Sequence, residues 1–221
     1  MSRVFRFLLV GLVALAAGCG SSGGTASAPA EPPSPAAALR TLAAAARTGH
    51  KGAIRRLLTP STRPSVAAEL AEGLGAFPRS TKVVLAERID QAWAVAALAG
   101  PRRAEGTREY GAFAVALRLV HGSWKAEIGE AVSVNPLGPH PGSLQGRAPT
   151  QIAAEVTARA KVVQAGFWLD GAALAGKPTG TSRRFTFYGP SPRLAPGPHV
   201  VVTFAEAGGH ATAVAWSFRV R

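Results

Sequence analysis

Cys19 is the side chain with the most distinctive chemistry in this sequence of 221 residues, because it is the only cysteine. Exported proteins usually pair their cysteines, so a single one indicates an intermolecular disulfide, a reactive thiol or a modified thiol. Small residues precede Cys19 and a long polar segment follows it. We expect the thiol to be modified.

The first eighteen residues have the features of a secretory signal peptide. Arg3 and Arg6 precede an apolar run that is too short to span a bilayer, which takes roughly twenty residues. The end of this run resembles the bacterial lipobox, in which the chain is cut before the cysteine and the thiol is acylated, although Ala16 stands where a large aliphatic residue is usual. The resemblance implies a signal peptide at 1–18 and a lipid, such as palmitate, on Cys19. That lipid would anchor the exported protein to the outer face of the bacterial cell membrane.

A simple secretory signal is the alternative, since Ala14, Ala16 and Gly18 could form a small-x-small cleavage site. Residues 19–35 contain mostly Gly, Ser, Ala and Pro, with Glu31 as their only charge. Such a composition buries little apolar surface and stays extended. We therefore expect a disordered tether at 19–35.

The chain is strongly basic, with a formal net charge of +13. Loss of Arg3 and Arg6 with the signal peptide would leave +11, and residues 36–135 and 136–221 each carry +6. Such a surface is either simply solvated or attracts anionic envelope polymers and lipid headgroups. Because no nucleic-acid motif is present and the expected location is outside the cytoplasm, nucleic acid is not an expected partner.

Residues 36–135 are expected to form an α+β domain, because the apolar spacing changes from a helical to an alternating pattern. The pattern predicts three short helices followed by four antiparallel strands, at 81–88, 92–99, 108–120 and 124–132. This order of elements, with the turn HGSWK at 121–125, resembles the NTF2-like fold. The resemblance implies three helices on a curved antiparallel sheet that forms a cone with an apolar pocket. Some members of that superfamily are isomerases or cyclases, and many are non-catalytic binding or spacer domains.

Glu130 is the one candidate catalytic residue of this domain. Whether the hairpin places Trp124 opposite Leu119 or opposite His121, alternation puts Glu130 on the interior face of the sheet. A carboxyl on an apolar wall holds its proton more readily and can act as a general acid or base. Alternatively, Glu130 lies near the open end of the sheet, where it reaches solvent or pairs with an arginine.

Residues 136–149 contain several prolines and glycines without an apolar run, which predicts a linker. Residues 150–221 contain only strand-like segments separated by turn residues. The phrases that resemble bacterial immunoglobulin-like domains are FWLDG at 167–171, LAPGPHVVV at 194–202 and AWSFRV at 215–220. The resemblance implies an all-β sandwich that serves as a spacer or adhesive module, without the paired cysteines of antibody domains.

The remaining reactive side chains show no metal or nucleophile pattern. The histidines have no ligand spacing and no thiolate to join them; they are His50, His121, His140, His199 and His210. Nucleophile elbows, phosphate-binding glycine loops and zinc-protease helices are also missing, so no metal or other cofactor is expected. Three arginine pairs are either solvated or grip phosphates or carboxylates; they are Arg55-Arg56, Arg102-Arg103 and Arg183-Arg184.

Three functions remain open from the sequence. The first is a non-catalytic, membrane-anchored envelope lipoprotein whose domains bind a partner protein or polymer. The second is small-molecule binding or isomerase-type activity in the NTF2-like pocket, with Glu130 as the acid or base. The third is electrostatic attachment to anionic cell-wall polymers.

Overall fold

The computed structural model describes residues 34–104 and 106–221, which all belong to one compact unit that runs from Glu31 to Arg221. The predicted signal peptide, the predicted lipid site at Cys19 and all but the last two residues of the predicted tether lie outside the described residues. No helix in the described ranges is long and apolar enough to cross a membrane.

Three helices open the described chain, namely α1 (Pro35–Arg47), α2 (Lys51–Arg56) and α3 (Val66–Gly75). Helix α1 begins at Pro35 because the Ser34 hydroxyl accepts a hydrogen bond from the Ala37 N–H at 3.3 Å, and proline lacks an N–H that would need a partner there. Apolar residues spaced three or four apart form one buried face on the helices, which includes Leu39, Leu42, Ala46, Leu70 and Leu74.

Four antiparallel strands follow and pair in the order β1-β2-β3-β4. They are β1 (Lys82–Arg88), β2 (Trp93–Ala104), β3 (Thr107–Val120) and β4 (Ser123–Glu127), and we call them the helix-backed sheet. His121 and Gly122 have φ angles of 48° and 74° in the turn between β3 and β4. Two such left-handed residues make the tight two-residue hairpin, so Trp124 pairs with Leu119, the first of the two expected registers.

The helices cover one face of this sheet. Leu98, Val115 and Leu117 from the sheet lie in one core with Ile54 and Leu74 from the helices, and none of these side chains is more than 4% exposed. The layer in which a pocket was expected is therefore filled with packed side chains.

The prediction of an NTF2-like fold class is wrong. The second face of the helix-backed sheet is not open, because Val95 and Ala97 on that face pack in one core with Trp168 and Phe204 from another sheet. The last predicted strand, 124–132, is also interrupted: β4 ends at Glu127, and the next strand joins a different sheet. A layer that is covered on both faces replaces the expected cone.

Two further sheets form from the rest of the described chain. Their strands are β5 (Val132–Gly138), β6 (Leu144–Gln145), β7 (Gln151–Ala158), β8 (Val162–Leu169), β9 (Ala172–Ala173), β10 (Lys177–Gly180), β11 (Arg184–Pro190), β12 (Gly197–Ala207) and β13 (His210–Val220). The first sandwich sheet has the order β10-β11-β7-β5, and the second sandwich sheet has the order β6-β13-β12-β8-β9. This is the division of strands seen in immunoglobulin domains, so the predicted immunoglobulin-like sandwich is confirmed.

Strands β5 and β6 lie partly across residues 136–149, for which the sequence predicted a linker. Strand β5 pairs with β7 although it contains Pro136, and it can do so because it is an edge strand, where a missing N–H leaves no ladder bond unmade. Between the two sandwich sheets, the rings of Phe167 and Phe187 stack with their centroids 3.7 Å apart.

Candidate functional site

Glu130 does not lie on an apolar wall. It follows the end of β4, its side chain is 62% exposed, and both its carboxylate oxygens accept hydrogen bonds from the Arg63 guanidinium, at 2.8 and 2.9 Å. The alternative named from the sequence, pairing with an arginine at the open end of the sheet, is the observed one. Since an exposed ion pair lacks the environment that would tune a carboxyl for acid or base catalysis, Glu130 gives no support to the isomerase hypothesis.

A different carboxylate is buried nearby, at a position that no sequence pattern singled out. The side chain of Glu127 is 1% exposed, and its Oε1 atom lies 2.8 Å from His210 Nδ1. The Ser61 hydroxyl donates a longer hydrogen bond, of 3.4 Å, to Oε2. Alternation along β4 directs Trp124 towards the helices and Glu127 to the opposite face. From the sequence alone this second face would be expected to contact solvent, but in the fold another sheet covers it.

The pair of Glu127 and His210 connects distant parts of the fold. Glu127 belongs to β4, His210 opens β13, and Ser61 lies between α2 and α3. Among the described residues, no serine or threonine hydroxyl hydrogen-bonds to His210, so the pair lacks the nucleophile that a hydrolytic triad would need. Its geometry fits a structural link better than a catalytic centre.

The other histidine that holds a carboxylate is also structural. His199 Nδ1 lies 2.7 Å from Asp170 Oδ2, and His199 Nε2 lies 2.8 Å from the Ala195 carbonyl oxygen. Both ring nitrogens are therefore occupied by the protein itself, as expected for a residue at the entry of a sandwich strand. In the described chain, no group of three or more His, Cys, Asp or Glu side chains is placed to hold a metal ion.

A basic cleft of about 580 Å³ lies at the tip of the β2–β3 hairpin, beside the ends of α1 and α3. Four arginines contribute to its lining, and we call it the arginine cleft: Arg47, Arg102, Arg103 and Arg108. It contains one of the three arginine pairs that the sequence indicated, at Arg102-Arg103.

Arg102 is held rigidly within this cleft. Its Nε atom donates a hydrogen bond of 2.7 Å to Glu109 Oε1, and its guanidinium lies over the Phe77 ring at 5.8 Å from the centroid. Gly111 makes room for it, because a Cβ at that position would collide with the Arg102 side chain. One arginine is thus fixed by a carboxylate and an aromatic ring.

Arg103 and Arg108 have the opposite situation. They lie directly opposite each other in the β2–β3 register, an arrangement in which like charges repel. Neither they nor Arg47 has an ion-pair partner within the described ranges. Counting Glu109 and the sequence neighbour Glu105 against the four arginines still leaves a formal charge of +2, and an anion in the cleft would relieve that repulsion.

The other two arginine pairs are less concentrated. Arg184 donates to Glu155 Oε1 at 2.9 Å, while Arg183 precedes β11 and is exposed. Arg55 and Arg56 lie in the last turn of α2 and are both exposed. Because both are exposed side chains on a helix, Arg55-Arg56 is a suitable comparison for the arginine cleft.

Comparisons with known proteins assign neither a family nor a function. No protein-family profile matches the sequence, and no curated protein matches it. Among solved structures, CopC from Methylosinus trichosporium OB3b is similar at 17% identity over 40% of this chain and 93% of CopC, with a TM-score of 0.29. The titin Ig tandem domains A164-A165 are similar at 8% identity over 66% of this chain and 75% of theirs, also with a TM-score of 0.29. Similarities this distant do not transfer a function.

Proposed function

We propose that this protein is an exported, non-catalytic binding module that attaches to anionic polymers of the cell envelope through the arginine cleft. The observation that carries the proposal is the juxtaposition of Arg103 and Arg108 in neighbouring strands without a carboxylate partner in the described residues. A phosphate or carboxylate between them would convert a repulsive contact into two charge-assisted hydrogen bonds.

The rest of the molecule fits this role. A formal charge of +11 on the processed chain would raise the local concentration of any polyanion, and Arg102 presents one face of a guanidinium whose position Phe77 already fixes. A lipid on Cys19, if the lipobox resemblance holds, would keep the module on the outer face of the membrane. Polymer binding at the cleft would then connect the membrane to the surrounding envelope material.

The decisive experiment compares two double variants with the same change in charge. Arg103→Gln with Arg108→Gln removes the repelling pair, and Arg55→Gln with Arg56→Gln removes two exposed helical arginines. The probes are polyphosphate and poly-glutamate, with binding measured at 50 and 200 mM NaCl. We expect the cleft variant to lose at least about tenfold in affinity and the helix variant about twofold or less, with a steep salt dependence for the parent protein. Equal losses in the two variants would show a diffuse surface effect and reject the cleft.

The same variants give an independent stability test. Because relief of like charges opposite each other is worth about 0.2–1 kcal/mol, the cleft variant should unfold at a higher urea concentration than the parent protein in the absence of polymer. A gain in stability together with a loss of binding is the signature of a site that holds an anion. A loss of both would mean that Arg103 and Arg108 have a structural role instead.

The membrane anchor is tested separately. Cys19→Ala should move the protein from the membrane fraction of the producing bacterium to the soluble fraction, because an acyl chain contributes roughly 0.8 kcal/mol for each buried methylene. Cys19→Ala that remains in the membrane fraction would contradict lipid anchoring, and it would leave the polymer-binding measurements unaffected.

A further inference from the structure

An apolar groove runs along one side of the immunoglobulin-like sandwich, between β8 and β10. Two adjoining cavities form it, of about 400 and 280 Å³, and they share Ala165, Pro178 and Phe185 in their linings. Val163 lines the larger cavity and is 65% exposed, which is unusual for a valine in a strand. We call this feature the β8–β10 groove.

The groove exists because the sandwich is not closed at this side. Phe167 and Leu169, further along β8, belong to the core between the sandwich sheets. Ala165 has the same parity as these residues but is exposed, and the four residues of β10 are exposed as well. The apolar interior therefore opens to solvent at Ala165, while Val162 at the start of β8 still packs against the core.

A further β-strand is a poor occupant for this opening. The pairing of β8 with β12 shifts so that Gln164 pairs with Glu206 and Val162 with Ala207, which leaves Val163 as a bulged residue. The ends of the open edge are also occupied, because the Val162 N–H donates to the Ser182 carbonyl and the Phe167 carbonyl accepts from Leu174. An edge that is bulged and closed at both ends offers little backbone to an added strand.

Exposed positive charges beside the groove favour a ligand with a negatively charged group. Lys161, Lys177 and Arg183 each adjoin a lining residue in the chain, and all three are exposed. No ion pair involves any of them in the described ranges. The groove thus combines apolar side chains such as Val163 and Phe185 with unpaired cations nearby, and Glu87, the one carboxylate in its lining, already accepts a hydrogen bond from the Trp168 indole.

We propose that the β8–β10 groove binds the alkyl chain of an anionic single-chain amphiphile, such as a fatty-acid carboxylate. The chain lies on Val163, Ala165 and Phe185, and the carboxylate reaches one of the adjoining cations. This site is separate from the arginine cleft and does not depend on polymer binding there.

Trp168 provides a local reporter for this site. It lines the smaller cavity, and its indole N–H donates a hydrogen bond of 2.8 Å to Glu87 Oε2. The ring lies across Gly166, where a Cβ would collide with it. A ligand in the groove therefore changes the surroundings of a tryptophan whose orientation is fixed.

The test uses the full chain carrying Cys19→Ala, so that no acyl group of its own competes. Octanoate, decanoate and dodecanoate are titrated below their micelle concentrations, with tryptophan fluorescence and calorimetry as readouts. Burial of each methylene is worth up to about fourfold in affinity, so two added methylenes should tighten binding about fourfold to tenfold in this open groove. Decanol should bind about twofold to fivefold more weakly than decanoate, as expected for one exposed ion pair.

Two substitutions locate the binding. Val163→Asp places a carboxylate in the groove at an exposed position that should not disturb folding, and it should weaken dodecanoate binding at least about tenfold. Leu144→Asp is the matched control, because Leu144 is an exposed apolar residue, 52% accessible, that lines neither cavity. Ala165→Trp, which fills the groove without adding charge, should also abolish binding.

The proposal is overturned by binding that does not depend on chain length, or by equal affinities for the Val163→Asp and Leu144→Asp variants. Sedimentation of the ligand-free protein tests the other occupant. A dimer that Val163→Asp dissociates would assign the groove to a second copy of the chain and reject the amphiphile.

Discussion

The contact between the buried Glu127 carboxylate and the half-exposed His210 allows a quantitative prediction for His210→Ala. The substitution removes the imidazole that hydrogen-bonds, at 2.8 Å, to a carboxylate whose side chain is 1% exposed. Removal of one partner from a buried ion pair costs about 3–5 kcal/mol, because the other charge is left unpaired. Since the His210 side chain is 45% exposed, water can enter the space that it leaves, and we expect a smaller loss of about 2 kcal/mol in the free energy of unfolding.

A double-mutant cycle separates this penalty from the loss of packing. Glu127→Gln keeps the shape of the side chain and an oxygen that can accept from Ser61, but it removes the buried charge. In that background, His210→Ala should cost about 1 kcal/mol or less, the value of one neutral hydrogen bond. The coupling between the two positions is then about 1 kcal/mol or more.

The assay is urea unfolding at pH 7, followed by tryptophan fluorescence and far-UV circular dichroism. The matched control is the exposed pair of Arg63 and Glu130, studied with Arg63→Ala and Glu130→Gln, for which a coupling of roughly 0–1 kcal/mol is expected. Additive effects at Glu127 and His210, with a cost of His210→Ala no larger in the parent protein than in the Glu127→Gln background, would refute the idea that the carboxylate depends on the histidine.

Three further predictions concern single positions. Gly171→Ala should lower stability by about 2 kcal/mol in urea unfolding, because residue 171 has a φ angle of 83° and a Cβ there would lie 2.6 Å from the Val84 carbonyl oxygen. Glu206→Gln should raise the melting temperature at neutral pH, because burial raises the pKa of Glu206 in the folded protein. Between the ordinary glutamate pKa and the raised one, the folded protein binds more protons than the unfolded chain. The stability of the parent protein therefore falls as the pH rises through this window. The gain should disappear below that window, and a gain that persists in acid would contradict the reasoning. Arg103→Glu should place an attractive pair opposite Arg108, raising the urea midpoint while abolishing polyphosphate binding; unchanged binding would oppose the proposed cleft.

Local structure followed closely from the sequence wherever short-range patterns determine it. The Ser34-Pro35 start of α1 and the hairpin at His121-Gly122 depend on capping and turn chemistry, and both are observed. Most strands of the immunoglobulin-like part coincide with the alternating segments of the sequence, whereas their order in the two sheets is set by tertiary pairing. Strand β5 was missed because it contains Pro136, which is tolerated only because the strand lies at an edge.

The candidate sites could be predicted only in part, because burial depends on which faces are covered. Alternation identified the two faces of β4 but not that both are buried, so Glu130 was chosen and Glu127 was missed. The Arg102-Arg103 pair was visible in the sequence, whereas the pairing of Arg103 with Arg108 depends on the hairpin register. Val163 is exposed at the bulge in the pairing of β8 with β12, a tertiary property that no local pattern reports.

The alanines of the helix-backed sheet explain how one layer serves two cores. Ala94 and Ala96 face the helices, while Ala97 and Ala116 face the second sandwich sheet, and such small side chains let backbone layers approach closely on both faces. Larger side chains interlock between these layers, since Trp93 packs edge-on against Phe204 with ring centroids 6.4 Å apart. A shift of one residue between the layers would break this packing, and it would also separate the buried Glu127 carboxylate from His210. We therefore infer that the apolar layer supplies most of the stabilisation, while polar contacts between the sheets, such as Glu127–His210 and Trp168–Glu87, help to fix their alignment.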